Sequence, residues 1–121
     1  MKRPWTVPNH AATVNKGIKL IQEELAGGIT LYSVAKHIGI SVAHFSRIFK
    51  QQTGMTFSAF LSREKERTTK RLLRNRSLQI KQVANLSGYR NPDYFSRKFK
   101  KLHGKTASEL RNSMISKHKS I

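Results

Sequence analysis

The sequence predicts an all-α chain of two similar helical units joined by a long helix, on three observations. Apolar residues recur at helical spacing through most of the 121 residues, glycines interrupt that spacing, and one pattern occurs twice about fifty residues apart. Phe45, Ser46, Arg47, Phe49, Lys50, Gly54, Thr56 and Phe60 return as Phe95, Ser96, Arg97, Phe99, Lys100, Gly104, Thr106 and Leu110. Upstream of each set, Val34, Ala35 and Gly39 return as Val83, Ala84 and Gly88. Units of about fifty residues bury little surface on their own, so the two are expected to share one helix.

The elements follow in order. Residues 1–10 hold Lys2, Arg3, Pro4, Trp5 and Pro8, a basic, proline-broken stretch expected as a flexible arm. Val14, Ile18, Ile21 and Leu25 then give a supporting helix stopped by Gly27 and Gly28. Thr30 caps a helix with Leu31, Val34, Ala35 and Ile38 on one face, and Gly39 breaks it. Ser41 caps the next, whose Phe45, Ile48 and Phe49 point inward before Gly54 ends it, completing a first helix-turn-helix subdomain at 11–55. Residues 56–75 contain no Gly or Pro and form the linker helix, with Phe57, Phe60, Leu61, Leu72 and Leu73 apolar. Its middle is almost all charge, which predicts a bridge wetted at its centre.

The second subdomain, 76–111, places Ile80, Val83 and Ala84 on one helix and breaks at Gly88. Asn91 followed by Pro92 starts the next helix, in which Phe95, Phe99 and Leu102 are expected inward. Thr106 and Glu109 form a capping box that starts the last helix near Ala107. Residues 112–121 are polar and basic and are expected as a disordered tail.

Composition narrows the function. Twenty-four Lys and Arg stand against six Asp and Glu, a net charge of +18 that fits a polyanionic partner. With no cysteine there is no disulfide, no thiolate nucleophile and no cysteine-held zinc. His10, His37, His103 and His118 show no ligand spacing, so no metal is expected, and no Ser, His and acid grouping suggests catalysis or a cofactor. No apolar stretch can span a bilayer and no signal core precedes Val14, so the chain is expected to be cytoplasmic without a membrane partner.

Helical angle then identifies the outward chemistry. With Phe45, Ile48 and Phe49 inward at about 100° per residue, Ala43, Ser46, Arg47 and Lys50 lie opposite. The same geometry leaves Asp93, Ser96, Arg97 and Lys100 outward in the second unit. Ser41, Val42 and His44 at the start of the first helix, and Asn91 and Tyr94 at the start of the second, complete the candidate interface with double-stranded DNA. An outward Arg in a major groove can donate two hydrogen bonds to guanine, whereas Lys50 and Lys100 reach more naturally to phosphate. Each residue also has a plainer role. The arginines can simply solvate a surface, Asp93 can favour the helix dipole or pair with Arg97 rather than accept from cytosine, and Tyr94 can pack on a core Tyr89 or touch the DNA backbone. His44 is expected on the helix surface near phosphate.

The run IKQVANLSGYRNPDYFSRKFKKLHGKTASELR, residues 80 to 111, resembles the hallmark of the AraC/XylS transcription regulators, and the resemblance extends over roughly 14 to 111. The GY, NPDYFSR, FKK and ELR elements carry it. Departures are Ala107 in place of proline, Glu66 and Thr69 in place of an aliphatic residue and an alanine, and Ser87 in place of an apolar residue. The resemblance implies a bacterial activator that recruits RNA polymerase, with residues matching Ala43, Ser46, Arg47, Asp93, Tyr94 and Arg97 on the helices that contact DNA. It also implies an effector or dimerisation domain elsewhere, so the chain is expected to be a small stand-alone regulator or the C-terminal piece of a larger one, monomeric in its DNA-binding unit. A repair alkyltransferase with a similar domain needs a cysteine and is excluded. The competing classes are a sequence-nonspecific architectural nucleic-acid binder, which would spread its basic residues evenly, and an RNA binder, which would expose more aromatics for stacking.

Overall fold

A computed structural model of the chain describes residues 9–119, with side chains described as far as Met114. The described residues form seven α-helices, one 3-10 turn (Leu25–Gly27) and no strand, so the fold is all-α. The helices are α1 (His10–Glu24), α2 (Leu31–Ile38), α3 (Val42–Thr53), α4 (Phe57–Leu73), α5 (Ile80–Leu86), α6 (Pro92–His103) and α7 (Ala107–Lys119). The chain divides into unit 1 (Met1–Leu25 with Ile29–Glu64) and unit 2 (Ala26–Gly28 with Lys65–Ile121).

In unit 1, α1, α2 and α3 close on Val14, Ile21, Val34, Phe45, Ile48 and Phe49, with Phe57 and Phe60 of α4 completing the core. Phe49 is its centre. Its ring lies 5.6 Å from Phe45, 5.6 Å from Phe57 and 5.3 Å from Phe60, all tilted or edge-on, which is the arrangement aromatic quadrupoles favour. The expected caps at Thr30 and Ser41 hold, Thr30 Oγ1 accepting from the Ser33 amide at 3.0 Å and Ser41 Oγ from His44 at 3.0 Å, and Thr56 Oγ1 caps α4 by accepting from Ala59 at 3.1 Å. Unit 2 repeats the plan around Leu73, Val83, Ala84, Tyr89, Phe95, Phe99 and Ala107. Arg111 closes it, donating from Nε to the Leu73 carbonyl at 2.9 Å and from Nη2 to the Asn75 carbonyl at 3.3 Å. A cation is thereby placed on the exposed carbonyls at the end of α4, where the helix dipole favours it.

Four expectations need correction. The first helix starts at His10, inside the expected arm, because Asn9 Oδ1 accepts from the Ala12 amide at 3.0 Å and supplies a cap ahead of the apolar pattern. Residues 1–8 of that arm lie outside the described residues. The centre of the linker helix is wetted on one side only: Arg63, Arg67, Lys70 and Arg71 are exposed, but Glu64 and Thr69 are buried. Its polar groups find partners there: the Thr69 hydroxyl donates to the Lys65 carbonyl at 2.8 Å, and Glu66 pairs with His103 and, at 3.9 Å, with Lys70. Leu102, expected inward, is 59% exposed. The buried stripe of α6 runs in steps of four, and the place after Phe99 goes to His103, whose ring stacks on Phe99 at 4.3 Å. Finally, α7 runs to Lys119, so residues 112–119 are helical where a disordered tail was expected. No Gly or Pro interrupts this stretch, and Met114 packs against the unit 2 core.

The departures at Ala107 and Ser87 are accommodated differently. Ala107 is buried at the first position of α7, where the Thr106 and Glu109 box supplies the start that a proline would otherwise reinforce. Ser87 is fully buried and its hydroxyl has no hydrogen-bond partner among the described residues.

Gly17 records how closely α1 approaches α3. A Cβ there would lie 2.6 Å from Phe45 Cζ and 3.0 Å from Cε1, and the Phe45 ring, itself fully buried, has no room to yield. Gly17→Ala gains about 1 kcal/mol of helix propensity. Overpacking of a dense core costs roughly 1–3 kcal/mol. The clash wins, and the variant is expected to lose roughly 1–2 kcal/mol in a urea titration; a gain in stability would show that the two helices can part freely.

Candidate nucleic-acid interface

Each unit presents one basic helix through the same short device. The first helix of each pair carries a buried alanine, Ala35 or Ala84, and the chain turns back on its carbonyl. The Ile40 amide donates to Ala35 O at 3.1 Å and the Tyr89 amide to Ala84 O at 3.0 Å. The turns pass through Gly39 at φ 90° and Gly88 at φ 93°, a left-handed conformation that a side chain would strain. The second turn is one residue longer, since Arg90 stands between Tyr89 and the cap Asn91. Asn91 Oδ1 accepts from Asp93 at 2.8 Å and Tyr94 at 3.1 Å, and Pro92 opens α6.

The sequence-predicted residues fall on the outer faces of α3 and α6. Ser41, Val42, Ala43, Arg47 and Lys50 are exposed, and His44 and Ser46 are half-buried. Asn91, Asp93, Tyr94, Ser96, Arg97 and Lys100 are all exposed. Ser41 and Asn91 use their side-chain oxygens as caps, so their part is to set each helix in place. Arg47 and Arg97 make no hydrogen bond or ion pair among the described residues, and Asp93 makes no ion pair with Arg97. Asp93 stays in the first turn of α6, where the helix dipole favours a carboxylate.

For Tyr94 the sequence offered packing on Tyr89 as one of two roles, whereas the neighbour of His44 was not legible. Tyr94, about half exposed, rests with its ring 6.4 Å from the buried Tyr89. Lys98 Nζ lies 5.9 Å from the Tyr89 ring and 5.8 Å from that of Tyr94, while Lys65 of α4 lies 5.0 Å from Tyr89. Lys98 follows Tyr94 by one helical turn, so spacing could have found that contact; Lys65 is too distant in sequence for any local rule. His44 is edge-on to His10, with centroids 5.9 Å apart and planes at 85°, another contact between distant residues.

Burial lowers the Lys65 ammonium from its ordinary value, and the nearby Lys98 adds to the effect. Burial, then the charges of Glu66 and Tyr94, push the Tyr89 phenol up to about 12. Among the described residues no group of three or more His, Asp or Glu gathers, and no helix is long and apolar enough to cross a membrane.

Two paired helices, each ending in an exposed basic helix framed by a tight turn, define a helix-turn-helix protein. A family model described as a helix-turn-helix domain matches residues 34–113. The regulatory protein PocR of Salmonella typhimurium is 26% identical over 105 residues, covering 87% of this chain and 35% of that protein. The uncharacterized transcriptional regulatory protein YesN of Bacillus subtilis is 34% identical over 105 residues, covering 84% and 28%. Among solved structures, the C-terminal domain of AraT, a response regulator from Geobacillus stearothermophilus, has a TM-score of 0.74 at 29% identity and 88% coverage of each chain. The DNA-binding domain of AdpA, solved with a target DNA, has a TM-score of 0.78 at 20% identity, covering 87% of this chain and 95% of that one. The chain belongs to the AraC/XylS family of transcription regulators and corresponds to their DNA-binding domain. It spans about a third of the length of PocR and less of YesN.

Because the folded Tyr89 sits above its unfolded value, its contribution to stability is complete below about pH 10 and is lost as pH rises through about 12. An alkaline titration followed by tyrosinate absorbance should therefore contain a late phase near 12 that Tyr89→Phe removes. A late phase that survives the substitution would mean that burial and Glu66 do not hold this phenol protonated.

Proposed function

We propose that this chain binds double-stranded DNA at a defined sequence, with α3 and α6 entering successive major grooves as the reading part of a cytoplasmic transcriptional activator. The observation that carries the reading is the paired placement of Arg47 and Arg97. Both are exposed and uncommitted among the described residues, at equivalent positions of two similarly framed helices. A guanidinium held this way can donate to guanine O6 and N7 together, which discriminates against other bases by about 1–3 kcal/mol. AdpA, whose domain shares the fold, was solved on a target DNA, which supports the same partner here.

One polypeptide carrying two reading helices needs no dimer to reach two grooves, and the site it selects is asymmetric because α3 and α6 differ. The footprint is near 20 base pairs, about two helical turns. Bending of the duplex can help both helices dock, so part of the specificity lies in DNA deformability. Recruitment of RNA polymerase by the bound regulator completes the proposed activator role.

Arg47→Ala and Arg97→Ala should each weaken binding to a duplex selected from a random pool by about 1–3 kcal/mol while changing binding to random duplex much less. Equal losses on both duplexes would favour an architectural binder without base readout.

Lys50 and Lys100 lie past the base-reading turn and are assigned to phosphate. Alanine at either should weaken binding to every duplex alike and reduce the slope of log K against log salt by about one unit. A loss confined to the selected duplex would move that lysine to the base-reading set.

A further inference from the structure

The contact between His10 and His44 joins the first residue of α1 to the third residue of α3, at the base-reading end of the first recognition helix. Both rings are half-buried, so each keeps an open side. Arg47 follows His44 by one turn. The pair therefore lies beside the face assigned to the major groove, where the flanking phosphates come within reach of a side chain at the helix start.

The charged residues of α2 and α3 are all basic, and the first three turns of α1 carry lysines as their only charged residues. Lys16 and Lys19 lie on α1, Lys36 and His37 on α2, and Arg47 and Lys50 on α3. Neither α2 nor α3 contains a carboxylate. The acids of unit 1 are Glu23 and Glu24 at the opposite end of α1, and Glu64, which accepts from Gln22 near that same end at 3.5 Å. The first turns of α1 and α3, where the two imidazoles stand, contain no carboxylate to pair with. A DNA phosphate is the missing anion.

Resting on the proposed DNA-binding function, we infer that His10 and His44 form a single proton-linked phosphate site, which holds at most one proton and binds it more tightly when the first unit docks on duplex DNA. The geometry limits the count to one. In an edge-to-face pair, a protonated ring can direct its positive edge to the electron-rich face of a neutral ring, whereas two protonated rings at 5.9 Å would repel. No covalent step is involved: the proton moves from solvent to a ring nitrogen, which then donates to a phosphate oxygen.

The test is the pH dependence of binding at constant ionic strength, measured from pH 6 to 8 on random-sequence duplex and on a selected duplex. Affinity should fall about 3- to 10-fold as pH rises on both duplexes, tenfold corresponding to a shift of one pKa unit. Calorimetry in buffers of different ionisation enthalpy should count an uptake of up to about half a proton, the most that a shift of one pKa unit gives. His44→Gln and His10→Gln should each flatten the slope, while His37→Gln and His103→Gln should leave it. Thermal melting of each variant establishes that it is folded. A slope that persists in the His10→Gln, His44→Gln double variant overturns the inference, as does binding by the parent protein that does not change with pH. Failure of the parent to bind duplex at any pH would instead refute the DNA-binding reading on which the inference stands.

Discussion

Two phenylalanines four residues apart decide which way each of the basic helices α3 and α6 faces. Phe45 and Phe49 in unit 1, and Phe95 and Phe99 in unit 2, are each buried to within a few per cent of completely. Removing any one from such a core costs several kcal/mol, far more than any single surface contact on the opposite face can return. The angular position of Arg47 and Arg97 is thus fixed by aromatic burial on the other side of the helix. The basic face is free to carry unpartnered charge because it contributes almost nothing to holding the fold together.

The helix that links the units uses the opposite strategy. Its run of charged residues reads as solvated surface, yet Thr69 returns its hydroxyl to the backbone, Glu66 pairs with His103 and Lys70, and Lys65 lies over Tyr89. Each polar group is admitted to a packed setting because a specific partner offsets its lost hydration. A consequence for α4 is that its register matters as much as its length, since rotation about the axis would part Glu66 from His103 and Lys65 from Tyr89 together.

What the sequence revealed divides along local and non-local lines. The helices, caps, turn glycines and outward arginines follow from spacings within one or two turns, and the internal repeat supplied a second reading of each. Leu102 escaped because the apolar period allowed two placements, and only the stack of His103 on Phe99 chose between them. The start of α1 escaped because a cap, Asn9, preceded any apolar signal. The contacts of His10 with His44, Lys65 with Tyr89 and Arg111 with Leu73 join residues far apart in the chain, so no periodicity encodes them. The outward placement of the arginines and the packing of Tyr94 on Tyr89 were within reach of the sequence; the partner of His44 was not.

The few carboxylates have a cost that is felt away from any binding site. Glu66 and Glu109 are committed to partners within the fold, and the hydrogen bonds from Thr106 hold the Glu109 carboxyl below its usual range. The chain nevertheless carries a net charge of +18. Self-repulsion on that scale works against a compact state, and mobile anions relieve it as ionic strength rises. The free domain is therefore a protein whose fold tightens with added salt while its grip on a polyanion loosens, so the conditions that best preserve it in isolation are those in which it binds least.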